Sequence, residues 1–441
     1  MTHRTVFEWG QIPVGEQGFS RNEANALLRA AKAHPNGGSE GTSILEDHYR
    51  HLTAKQFVGV LAAEGCSLEI LPKIDSGIVD KAAPTVRGHL MHMLEVVMDF
   101  NLSAGQLAPI ARQTETLLEA LIQLFAARLL SEVRRGIPRQ YCAHDGDLPM
   151  LRGRLNVVRQ FTVNVARPDR LATYYDSLEP DTPLMQIMKA AVVLLSRYCV
   201  KLSTQRSLTE LRLMLSDVRD IKLQDLPWSR IKIDRSNCRW RSLIDLAGMF
   251  LRRNWQASHH DSDEASGITL LFPMNDLFEA YVTAQVRKAL TGTKMTVTKQ
   301  GGLKYCLGDW HVNKVCNGSV FQTKPDILIR NSNNHITSII DAKWKMISRD
   351  GQDRKHGINQ SDVYQMVTYA RIYQCDTLAL VFPSPPGQGN FVNSEFGIAG
   401  GKERLLIVAV DITSRAAVGS AIAEFLVGAN ITHAHYIDRD C

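Results

Sequence analysis

Residues 324–345 read KPDILIRNSNNHITSIIDAKWK, and Asp326, Asp341 and Lys343 stand out within them by type and spacing. DILIR and ITSIIDAKWK are apolar at alternate positions, as strands are, and NSNNH between them is a run of turn residues. Side chains alternate across a strand, so Asp341 and Lys343 share one face and Ala342 takes the other. Asp326 begins the partner strand, where Pro325 is tolerated because that end needs no ladder hydrogen bond. A hairpin therefore brings two carboxylates and one ammonium to a single spot. Carboxylates this close repel unless a cation lies between them. Mg²⁺, a hard ion content with a few carboxylates plus water and phosphate, is the natural choice. A lysine beside it can orient or deprotonate a water and stabilise charge on a scissile phosphate. That is equipment for hydrolysing a phosphodiester.

The chain carries its own controls. Asp220-Ile221-Lys222 is another Asp-x-Lys, and Pro168-Asp169 and Pro180-Asp181 are other Pro-Asp pairs. None has the strand–loop–strand setting, and each reads as structural. Two further features fit the hairpin. Glu279, in LFEAYV, lies on a helix entering the same region, from which a third carboxylate can reach a metal. Gln365 and Tyr369, in DVYQMVTYA, share one face of a following helix. A solvated Glu279, a packing role for Gln365 and Tyr369, and a snorkelling Lys345 are the bland alternatives.

These residues need a scaffold, and the 441-residue length points to two or three domains. The first part is mixed: a helix near 22–33, then a hairpin of QFVGVLA and SLEILPKI around Ala-Glu-Gly-Cys, with glycine free to take positive φ. From about Ala111 the apolar residues Leu117, Leu118, Leu121, Ile122, Phe125, Leu129 and Val133 recur at helical spacing. Similar periodicity returns in PLMQIMKAAVVLLSRYCV, TELRLMLSDV and WRSLIDLAGMFLRRNW. Between them LRGRLNV offers Arg152 and Arg154, suited to phosphate or to a loop ion pair. HHDSDEASG at 259–267 reads as a linker. Beyond it, helices near 275–290 and 362–373 alternate with strands such as TLALVFP and ERLLIVAVDI, arguing for a central sheet covered on both faces. The expected division is a mixed α+β domain at 1–108, a helical middle region at 109–262 and an α/β domain at 263–441.

Composition narrows the function class. A net charge of +6 suits a nucleic-acid partner without demanding one. The eight cysteines form no CxxC pair, and scattered thiols point to a reducing cytoplasm. No run approaches a membrane span, and His259-His260 and His433-Ala-His435 lack further ligands at a metal-site spacing. No GxxxxGK[ST] motif occurs, so nucleotide-driven work falls to a partner.

With these residues in view, the C-terminal part resembles the PD-(D/E)xK nuclease superfamily, in the variant with a Gln-x-x-x-Tyr helix after the D-x-K strand. The chain as a whole resembles the McrC family of McrBC-type, modification-dependent restriction systems. The resemblance rests on VGVLAAEGCSLEILPKI, LPMLRGRL, LEPDTPLMQIMKAA, NDLFEAYV, KPDILI, DAKWK and DVYQMVTYA, in that order. It implies an endonuclease subunit that cuts methylated double-stranded DNA beside a McrB-like AAA+ hexamer. GTP is expected on that partner, whose hydrolysis the N-terminal region of this chain stimulates. By the same resemblance Asp326 and Asp341 bind metal, Lys343 is the catalytic lysine, Glu279 is the helix acid and Gln365 the auxiliary glutamine. A non-catalytic activator keeping a relic nuclease fold, and a stand-alone repair nuclease, are the competing functions.

Overall fold

The computed structural model describes residues 2–34, 42–63, 65–73, 83–98, 116–235, 237–257, 269–310, 318–345, 357–384 and 391–412, with isolated positions at 37, 347 and 419. The expected linker at 259–267 and the histidines 433 and 435 lie outside the described residues.

The N-terminal hairpin forms as expected: Phe57–Ala63 pairs antiparallel with Cys66–Leu71, and Gly65 takes φ +74 in the turn. Thr2–Phe7 adds parallel to Cys66–Leu71. The fourth strand is Thr269–Pro273, antiparallel to Phe57–Ala63, so the chain returns to this sheet before entering the C-terminal one. Gly59 permits that pairing. A Cβ there would stand 1.8 Å from the Leu270 carbonyl oxygen. The helix Arg21–Ala33 covers one side, with a capping box between Ser20 and Glu23.

The middle region is built on four long helices, Leu117–Arg135, Pro183–Leu195, Leu202–Met214 and Arg241–Ala257, with a short one at Val157–Thr162. The first buries the apolar stripe read from its periodicity, and Phe125 meets Phe250 edge-on at 5.9 Å. This region is not purely helical. Gln140–Leu148, Arg154–Leu155 and Leu171–Glu179 form a three-stranded antiparallel sheet. Its strands show little burial, so no alternating apolar face marked them in the sequence. Arg152 stacks on Tyr175 with 4.4 Å from its guanidinium carbon to the ring centroid, and Arg154 lies over Tyr174 at 5.7 Å. Around this ribbon Met150, Leu151, Val157, Val158, Phe161 and Val163 are exposed.

The C-terminal region holds a six-stranded mixed sheet in the order Thr296–Lys299, Ile327–Arg330, Ile336–Ala342, Thr377–Pro383, Arg404–Val410, Phe391–Gly397. Ile340 opposes Ile327 in the antiparallel hairpin, and Ile336–Ala342 runs parallel to Thr377–Pro383. Both faces are covered, as expected. Ile340, Ala342 and Val381 pack with Leu277 and Phe278 of the helix Met274–Ala289. Leu328, Ile339 and Leu380 pack with Met366 and Tyr369 of the helix Gln360–Tyr373. The six cysteines among the described residues are free. No helix among those residues is long and apolar enough to cross a membrane.

Candidate active site

Asp341 occupies the penultimate position of Ile336–Ala342, two residues after Ile339, and so belongs to the sheet face covered by Gln360–Tyr373. It has no solvent exposure. Asp326 precedes the neighbouring strand by one residue, and the ladder register sets it beside Asp341. The two are tied through the backbone, since the Ala342 N–H donates to Asp326 Oδ2 at 2.9 Å. Lys343 Nζ lies 2.7 Å from Asp341 Oδ2 and donates to Gln365 Oε1 at 3.2 Å. Gln365 in turn donates to the Tyr369 hydroxyl at 2.8 Å. Burial pushes that hydroxyl up to about 12, so it stays protonated. The hairpin and the following helix thus assemble Asp326, Asp341, Lys343, Gln365 and Tyr369 in one place.

The electrostatics are unfavourable for a resting pair of carboxylates. Burial, then the charge of Asp341, pushes Asp326 up to about 7, against the pull of the Ala342 N–H. Burial also raises Asp341, although Lys343 pulls it down, and Asp362 adds to the rise. Lys343 would be lowered by its own burial, but Asp341 and then Asp326 hold its proton and leave it raised. The Lys343 ion pair does not satisfy Asp341 as a hydrogen bond would. Neither Asp341 oxygen receives a well-aligned donor among the described residues.

Glu279 comes from the opposite face, on Met274–Ala289. It is mostly buried and held by Gln300, whose Nε2 donates to its two oxygens at 3.0 and 3.3 Å, with Lys299 Nζ at 3.6 Å. Its charge still contributes to the rise at Asp326. Gln300 was not legible as a site residue. It also donates its own N–H to the Asp326 carbonyl at 2.8 Å, linking the helix acid to the start of the hairpin. The neighbouring Gly301-Gly302 is a turn signal that carries no chemistry. Lys345, left open between a site role and a snorkel, pairs with Asp362 at 2.9 Å.

The donor set suits a hard divalent cation. Asp341 presents two buried, unsatisfied oxygens beside a second carboxylate whose ionisation the fold resists, and a cation removes both penalties. Among the described residues no three His, Cys, Asp or Glu side chains form a ready-made metal cage.

Over residues 52–383 the chain matches the family described as McrBC 5-methylcytosine restriction system component. The chain belongs to the McrBC family. No curated protein matches it by sequence. Among solved structures it resembles a chain of the refined half-complex from a tetradecameric assembly of Thermococcus gammatolerans McrB AAA+ hexamers with bound McrC. The identity there is 20% and the TM-score 0.71, over 97% of this chain and 99% of that one. A second likeness is to the cryo-EM structure of the Thermococcus gammatolerans McrBC complex, with 22% identity and a TM-score of 0.52 over 66% of this chain and 88% of that one. At these identities the likeness establishes a shared fold. For this McrBC-family chain, that fold is the multidomain α/β arrangement described above.

Proposed function

We propose that this chain is the Mg²⁺-dependent endonuclease subunit of a McrBC-type restriction complex, with residues 263–441 carrying a PD-(D/E)xK nuclease and a GTP-hydrolysing AAA+ hexamer as partner. The observation that carries this reading is Asp341: fully buried, with no aligned donor on either oxygen, beside Asp326 and Lys343. Buried unsatisfied charge is costly, and a fold keeps it where it serves chemistry. Asp326 and Asp341 would hold the ion, with Glu279 as a further ligand. When bound, the ion supplies charge stabilisation and a more acidic water. Lys343, its proton held by Asp341, stands ready to stabilise negative charge on a phosphate, and Gln365 fixes its direction from behind.

The test uses the full chain with its AAA+ partner, Mg²⁺ and GTP on methylated and unmethylated plasmid. Asp341→Ala or Lys343→Ala should abolish cleavage, a loss of at least about a hundredfold for the lysine, while leaving stimulation of GTP hydrolysis intact. Substantial cleavage by both variants would sink the site assignment. If wild type and variants all stimulate GTP hydrolysis and none cuts, the protein is an activator with a relic nuclease fold.

The resemblance assigns partner contact to residues 1–108. A specific observation favours another surface, the middle ribbon, where Val158 and Phe161 are 75% and 71% exposed amid further apolar side chains. Contiguous exposed apolar surface marks an interaction site. Val158→Asp with Phe161→Asp should remove stimulation of GTP hydrolysis without disturbing the fold. Full stimulation by that variant would return the contact to 1–108.

A further inference from the structure

Between the N-terminal sheet and the end of the Asp341 strand lies a cavity of about 120 Å³, lined by residues that include Glu8, Trp9, Gln56, Lys73, Trp344 and Lys345. Two distant parts of the chain build it. Glu8 and Trp9 follow the first strand, whereas Trp344 and Lys345 directly follow Lys343. Glu8 is 3% exposed. Its Oε2 accepts from the Trp344 indole N–H at 3.0 Å and from the Lys73 backbone N–H at 3.1 Å. Its Oε1 has no donor among the described residues. Burial pushes this carboxyl up to about 7 despite both hydrogen bonds. Phe278 meets Trp344 edge-on at 5.4 Å and steadies the indole.

Trp9 is the other unusual member. It is 51% exposed, at φ +63, a region that bulky residues seldom adopt. The turn is closed by the Gly10 N–H donating to the Phe7 carbonyl at 2.8 Å, and the Trp9 N–H donates to Ala54 at 3.1 Å. Lys55 Nζ stands 5.4 Å from the Trp9 ring centroid. Strain of this kind gathers at ligand clamps.

A ligand for this cavity must donate an N–H to Glu8 Oε1, offer a flat face to tryptophan and carry negative charge for Lys73, with Lys345, paired to Asp362 at 2.9 Å, beside it. A nucleotide meets all three needs. At about 120 Å³ the cavity is smaller than the apolar one of about 150 Å³ that takes benzene, so it admits at most a single six-membered ring and not a fused pair. Both pyrimidines carry an N–H on the Watson–Crick edge, the N4 amino group of cytosine and the N3 imide of thymine. Lys345 lies two residues beyond Lys343, so the cavity and the candidate cleavage site are built at the end of the same strand.

We propose that this cavity receives one unstacked pyrimidine base of the substrate strand, next to the phosphate presented to Asp326, Asp341 and Lys343. The substrate assignment rests on the nuclease reading. The test therefore measures binding without cleavage, so that the two can fail separately.

The full chain is titrated, without divalent metal, with end-labelled single strands of thymidylate, adenylate and abasic sugar-phosphate of equal length, followed by fluorescence anisotropy. A single strand removes the cost of unstacking a base from a duplex. Thymidylate should bind about tenfold more tightly than the abasic strand, the scale of one base stacked on an aromatic side chain. The adenylate strand should gain clearly less. Glu8→Gln keeps an acceptor for Trp344, and Trp9→Ala alters an exposed side chain. Each should remove most of the thymidylate advantage while leaving abasic binding unchanged. Equal binding of thymidylate and abasic strands by wild type overturns the proposal. So does an advantage that survives both variants, or one that adenylate shares in full.

Discussion

Among the described residues two carboxylates have no solvent exposure, Glu69 in the N-terminal sheet and Asp341 in the C-terminal one, and their environments are opposite. Glu69 accepts from Arg87 at both oxygens, each at 2.7 Å, and from the Leu117 N–H and the Thr5 hydroxyl, each at 2.8 Å. Burial alone would raise it, yet these donors, Arg87 foremost, hold it down at about 2. Asp341 is as deeply placed, has one imperfectly directed lysine and is raised. Glu69 fastens a sheet to the helices bearing Arg87 and Leu117. Asp341 has no comparable set of donors, as the proposed metal-binding role requires. Burial does not distinguish these two acids; the donors around them do.

The comparison breaks if the two acids respond alike to neutralisation. Glu69→Gln leaves the buried Arg87 guanidinium facing an amide, and breaking a buried pair in this way costs roughly 3–5 kcal/mol. Asp341→Asn removes a charge the fold resists, and Lys343 keeps Gln365 as a partner. Its unfolding free energy should stay within about 1 kcal/mol of wild type, or rise. Urea unfolding of the two variants checks this. Equal losses would mean that Asp341 is a structural residue.

The same contrast explains what could be read from the sequence. Asp326, Asp341 and Lys343 were legible because strand alternation and one short loop fix their faces, and a helix period fixes Gln365 and Tyr369. Gln300 and Glu8 were not. Glu8 reaches Trp344 across 336 positions, a pairing no local pattern encodes. The three-stranded ribbon stayed hidden because QYCAHDGDL has no buried face to impose alternation. Thr269–Pro273 falls within the expected 263–441 division yet pairs with Phe57–Ala63, because an apolar strand does not announce which sheet it will join.

A smaller and sharper test is pH. Glu69 titrates at about 2 when folded against an ordinary 4.5, so its stabilisation is complete above the ordinary value and is lost as pH falls through about 2. The amount at stake is roughly 3 kcal/mol. Asp326 is raised to about 7, so the sign reverses. Its contribution is present below the ordinary carboxylate range and is lost as pH rises through about 7. Without metal, then, wild type should lose stability between about pH 4 and pH 7, and Asp326→Asn should reduce that loss while leaving the share of Glu8, which is also raised to about 7. Glu69→Gln should flatten only the acid limb. A loss of the same size in Asp326→Asn as in wild type would remove the claimed repulsion between Asp326 and Asp341.

The smallest effect belongs to Lys345 and Asp362, which form an ion pair at 2.9 Å close to the site. Distance alone would rank it with the Glu69–Arg87 pair. Its lysine side chain, however, is 41% exposed, and water screens the attraction while side-chain entropy opposes it. The coupling from a double-mutant cycle of Lys345→Ala and Asp362→Asn should lie below about 1 kcal/mol. Thermal unfolding of the four proteins measures it. Asp362 is itself largely buried and adds to the rise at Asp341, so the single Asp362→Asn should shift Asp341 downward even where stability barely moves. A coupling as large as that of a buried pair would mean that Lys345 is locked in place. It could not then be free to meet a nucleotide in the neighbouring cavity.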